Sequence, residues 1–176
     1  MVAWRRGLNV AALDVVPAVA VAAFQVRGTL LVLPGQDAVR PLADPGAAGY
    51  LLLVAGGAVL LGRRRWPGAV LAAEVAFSAG YYLAGYPDGP GWVGLFIALF
   101  TFTAQGDGRR STAVAATAII ALSAVWLLTA YLAPLNGAGW VFFRIGAAVM
   151  AAALGESVRG RLAAAEAEHR RAVQSQ

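Results

Sequence analysis

Three ionisable side chains fall inside long apolar stretches of this chain: Asp14, Glu74 and Arg144. Charge is costly in hydrocarbon, so an ionisable group kept within a membrane segment is a candidate for function. At ~1.5 Å of helical rise per residue, Asp14 lies about 9 Å beyond Leu8 and Glu74 about 10 Å beyond Pro67, which puts the two carboxyls at similar depth. Two carboxyls meeting in a low-dielectric interior would not both ionise. One would hold a proton, or the pair would share a cation. That arrangement is a proton- or ligand-responsive switch. The alternative is that each acid separately bonds Ser, Thr or backbone groups and fixes packing. Arg144 lies only about 6 Å from the far end of its own segment, poorly placed for either acid, and is expected to snorkel outward or to face the bundle. No nucleophile and base can be paired from these residues. The chain has no cysteine and one histidine, His169. That excludes disulfides and thiol catalysis and argues against a metal centre, so no cofactor is expected.

The segments that carry these residues are long and greasy. Of 176 residues 60% are hydrophobic and 13% charged, with a mean hydropathy of +0.67. A soluble domain of this size carries about a quarter charged residues. Six apolar segments can be marked: about Leu8 to Arg27 (extending through Leu33), Ala48 to Leu61, Pro67 to Tyr86, Trp92 to Gln105, Ser111 to Ala133 and Trp140 to about Leu154. The second and fourth are short for a bilayer and are expected to run at an angle or to be sheltered by neighbours. The first, with Trp4-Arg5-Arg6 before it, resembles a signal sequence, but the apolar run continues past Ala22, so a retained signal anchor is expected. Gly56-Gly57 and Gly80 are expected to allow close helix approach. Tyr81-Tyr82, Tyr86, Trp126 and Tyr131 are expected to form belts at the segment ends.

Arginine sets the direction of threading. Arg63, Arg64 and Arg65, followed by Trp66 and Pro67, form a knot between two apolar runs and read as a tight cytoplasmic hairpin. Arg109 and Arg110 mark the next inner return, and Arg5, Arg6, Arg159, Arg161, Arg170 and Arg171 flank the chain ends. The opposite loops hold only Arg40, with Arg27 at a helix end. The expectation is an all-α membrane protein with six transmembrane helices, both termini cytoplasmic, in a bacterial inner membrane. The net charge of +5 does not indicate nucleic acid, because the basic residues punctuate apolar segments and form no face.

Residues 1–154 therefore read as the membrane domain and 155–176 as a charged, alanine-rich cytoplasmic helix. Val158, Leu162 and Ala165, continued by His169 and Ala172, step by four and three, a thin coiled-coil seam of about two heptads. It is either a signalling helix that pairs with its copy in a homodimer or a solvated tail.

Arg63-Arg64-Arg65-Trp66-Pro67, the Gly85-Tyr86-Pro87-Asp88-Gly89-Pro90 turn, and a last helix running through Gly155-Glu156-Ser157-Val158-Arg159 into an Ala/Glu/Arg helix resemble the membrane region of actinobacterial sensor histidine kinases. These kinases pair with response regulators that carry a helix-turn-helix output domain. The resemblance implies a dimer whose bundle receives a stimulus and passes it through the last helix to kinase domains. No phosphoacceptor motif, ATP-lid glycine box or asparagine box occurs in these residues, so the sequence as it stands is not expected to be an enzyme. It would reach a response regulator only through kinase domains, whether it is an excised module or a stand-alone relative. Membrane lipid is the other expected partner. A small multi-pass transporter or permease component is the alternative reading.

Overall fold

The computed structural model describes residues 2–37, 43–132 and 138–174, with side chains at 14–34, 43–132 and 140–174. The side chains of Arg5 and Arg6, Arg40 in its loop, and the turn at 134–137 lie outside the described residues. Six α-helices follow one another with no strand among the described residues: α1 Val2–Asp37, α2 Gly46–Val59, α3 Pro67–Leu83, α4 Val93–Gln105, α5 Arg109–Leu132 and α6 Ala138–Gln174. A 3-10 turn, Leu60–Gly62, extends α2 into the arginine hairpin. Among the described residues, three stretches are long and apolar enough to cross a bilayer: Asp14–Pro34, Arg109–Leu132 and Trp140–Gln174.

The helix ends follow from local chemistry. Pro67 opens α3, where its missing N–H leaves no intrahelical bond unmade. Gly85, at φ 73°, ends α3. The left-handed residue lets the Gly85 N–H bond back to the Tyr82 carbonyl at 3.1 Å. Tyr86 therefore lies in the turn and not in the helix.

The short fourth segment is the hub of the bundle. α4 packs against all five other helices, and Leu95, Ala98 and Leu99 are fully enclosed. A helix walled by protein has no need to match the thickness of a bilayer, because its neighbours supply the apolar surroundings. Thr101 and Thr103 bond back to the carbonyls of Ile97 and Leu99, and Thr103 Oγ1 also donates to the Ala152 carbonyl of α6 at 3.0 Å. Gly155 of α6 packs directly on the α4 backbone at Phe100 and on Thr103.

Gly57 brings α2 onto α1, where any Cβ would run into Ala22 and the Ala18 carbonyl. Gly80, by contrast, has open space around its Cα, so it serves no helix contact. Large apolar side chains stay exposed along α1, α5 and α6, among them Val19, Leu31, Ile120, Leu128, Phe142 and Met150. Outward-facing hydrophobics on the longest helices are what a lipid-facing surface requires.

Candidate functional site

The structure separates the three sequence-predicted residues. Asp14 sits at the arginine hairpin, where its Oδ1 accepts from Arg63 Nη2 at 3.1 Å and from Arg64 Nε at 2.8 Å. Its depth is that of the hairpin itself. Glu74 lies deeper, beside Gln25, which is eleven residues further along α1 and so about 16 Å from Asp14. Asp14 and Glu74 therefore do not meet. Counting depth from Leu8 misplaces Asp14, because its bonds to Arg63 and Arg64 set the axial offset of α1. The topology anchors thus divide their work. Arg63 and Arg64 hold Asp14, and Arg65 lies over the ring of Trp66 with 4.9 Å from its guanidinium carbon to the ring centroid.

Arg144 faces the bundle. It is only 4% exposed, and its Nη2 donates to Asp88 Oδ1 at 2.8 Å. Its guanidinium carbon lies 4.5 Å from the centre of the Tyr82 ring and 6.0 Å from that of Trp126. Tyr82 and Trp126 stand edge to face beside it. A desolvated guanidinium gains both from a carboxylate and from aromatic faces. Tyr81, Tyr82 and Trp126 are therefore interior residues, correcting the belt reading, while Trp66, Tyr131 and Trp140 remain exposed at helix ends. Arg144 was the available signal, since a cation inside a bundle needs an acid and an aromatic wall.

Two cavities border this ion pair. One, of about 170 Å³, is lined by Tyr82, Tyr86, Asp88, Trp126, Trp140 and Arg144 among others. The second, of about 410 Å³, lies toward α1, lined by Phe24, Gly28, Val32, Pro90, Trp92 and Trp140, with Asp88 and Arg144 at its wall. The second is large and apolar enough for a lipophilic group.

The opposite end of α6 is clasped. Glu156 accepts from Arg159 Nε at 3.1 Å and from Thr112 Oγ1 at 3.3 Å, tying α6 to the start of α5. The Arg159 guanidinium covers Gly108, the left-handed residue of the α4–α5 turn. These hydrogen bonds hold the Glu156 carboxyl below its ordinary range. Arg110 reaches only Asp107, at 4.0 Å, and stays in the open, as does Arg109. Beyond the clasp every residue from Gly160 to Gln174 is exposed, including Leu162 and Ala165 of the seam, and Val158 is 39% exposed. Glu166 and Arg170 pair one turn apart at 3.4 Å.

Compared with known proteins, the chain matches no family model, no curated protein and no solved structure.

Proposed function

We propose that this chain is the sensory input module of a two-component histidine kinase, embedded in a bacterial inner membrane by six helices with both termini in the cytoplasm. The observation that carries this reading is α6. It is one unbroken helix from Ala138 to Gln174, with Arg144 at the cavities near its start, Glu156 and Arg159 in the clasp, and an exposed tail beyond. A stimulus that alters the Arg144 end can shift α6 as a rigid body, and the tail carries that shift into the cytosol. The arginine asymmetry supports the orientation, and the resemblance to actinobacterial sensor kinases supports the class. An exposed helix of this length is marginal on its own in water, which favours pairing of Val158, Leu162 and Ala165 with a second copy. The output would reach a response regulator through kinase domains joined to the tail.

A kinase core fused after Gln176 tests the proposal. Its activity should change when Arg144→Gln or Asp88→Asn alters the outer end. Activity indifferent to both would remove α6 as the relay. The two cavities beside the ion pair also suit a small multi-pass transporter. Counterflow uptake into proteoliposomes would favour that reading over the first.

A further inference from the structure

We infer that Glu74 is a proton-binding site, holding its proton against Gln25 and exchanging it toward the turn at residues 84–92. Glu74 is 1% exposed. Its carboxyl lies against the backbone of Gly94 in α4, where a Cβ would overlap it, and a Cβ on Gly56 of α2 would sit 3.4 Å from Glu74 Oε2 and 3.5 Å from Gln25 Oε1. Gly56 is thus the point on α2 to which Gln25 of α1 and Glu74 of α3 both reach. Gln25, also 1% exposed, donates Nε2 to the Gly91 carbonyl at 3.3 Å and turns Oε1 inward.

Glu74 Oε1 and Gln25 Oε1 are both buried acceptors without a donor. Among the described residues no salt-bridge partner compensates an ionised carboxylate there. Toward Glu74, α1 presents Gln25, with Asp14 held away by Arg63 and Arg64; α2 contributes only Tyr50 as a titratable group; α3 adds Tyr81 and Tyr82. α4 and the membrane-spanning part of α5 have no charge, and Arg144 of α6 is bound to Asp88. A buried charge so placed is far costlier than a neutral acid. One proton resolves both orphaned atoms at once, because the protonated carboxyl donates its O–H to Gln25 Oε1.

The route follows from the same two helices. Ser78 and Tyr81 stand one and two turns beyond Glu74 on α3, and Thr29 stands one turn beyond Gln25 on α1. All three are at most 3% exposed, and each has a hydroxyl with no partner. Thr29 lies directly beneath Gly89 of the turn, where a Cβ would overlap its hydroxyl. In the other direction the row of polar side chains ends on Leu60, Val70 and Leu71, all buried and apolar. The polar side of Glu74 is therefore the side of the 84–92 turn, and the proton leaves in that direction. That this end is external rests on the topology proposed above; the proton and its partner do not.

Infrared spectroscopy of the full chain in lipid vesicles tests this directly. A protonated-carboxyl carbonyl band is expected at neutral pH, lost in Glu74→Gln, moved to higher frequency in Gln25→Leu, and unchanged in Asp14→Asn. Absence of the band at neutral pH, or its survival in Glu74→Gln, overturns the site. In oriented vesicles the band should titrate only with the pH on the side of the 84–92 turn, and titration from the hairpin side overturns the route. The band reports the proton whether or not the kinase fusion responds, so failure of one reading leaves the other standing.

Discussion

Arg144 and Asp88 form an ion pair between α6 and the turn that joins α3 to α4, at 2.8 Å, with the arginine 4% exposed and its guanidinium over the Tyr82 ring. Breaking one side of such a pair strands a buried charge. Asp88→Ala should therefore cost about 3–5 kcal/mol of folding stability, whereas the double variant Asp88→Leu/Arg144→Met should recover most of it. Denaturant titration in detergent micelles measures both. A single variant as stable as wild type would mean that water or lipid headgroups already satisfy Arg144.

Two glycines of the same chain should respond oppositely to alanine. A Cβ at Gly94 meets the Glu74 carboxyl, while one at Gly80 meets nothing. Gly94→Ala should destabilise by about 1–3 kcal/mol, as overpacking does. Gly80→Ala should stabilise by up to about 1 kcal/mol through helix propensity. Thermal unfolding of the two variants side by side gives the comparison, and equal effects would argue against the packing described at Gly94.

The clasp on α6 should open in acid. The hydrogen bonds from Arg159 and Thr112 lower the Glu156 carboxyl from its ordinary 4.5. A depressed carboxyl stabilises fully above that ordinary value, and the stabilisation fades as pH falls through the lower, folded value. The tail should accordingly loosen from the α4–α5 turn only below about pH 4.5, and Glu156→Gln should be loose at every pH. A spin label at Ser157 reports the change in mobility. A pH-independent signal in wild type would show that the clasp does not depend on the charge of Glu156.

If the tail pairs with a second copy as proposed, single cysteines at Val158 or Leu162, both exposed on the tail helix, should crosslink between chains in native membranes. Recovery of monomer alone would sink the paired-tail relay.

Much of this organisation was legible in the residues themselves. Long apolar runs favour helices, whose backbone groups bond within the segment itself, and Gly/Pro and arginine clusters mark where each run stops. The arginine hairpin at Arg63–Trp66, the α3–α4 turn and the polar character of the tail all follow from that. The partners of Asp14, Glu74 and Arg144 did not. Their helices are apolar on nearly every side, so hydropathy barely distinguishes a face that meets lipid from one that meets protein. Axial offset and rotation are then decided by contacts distant in sequence: Gly57 on Ala22, Gly155 on Phe100, Asp14 on the arginine hairpin. Residue order alone dictated helices and their ends; only packing among them decided that Asp14 and the Gln25 beside Glu74 stand about 16 Å apart along α1, one acid held by arginines and the other beside an amide, since pairing depends on where side chains point and not on how deep they lie.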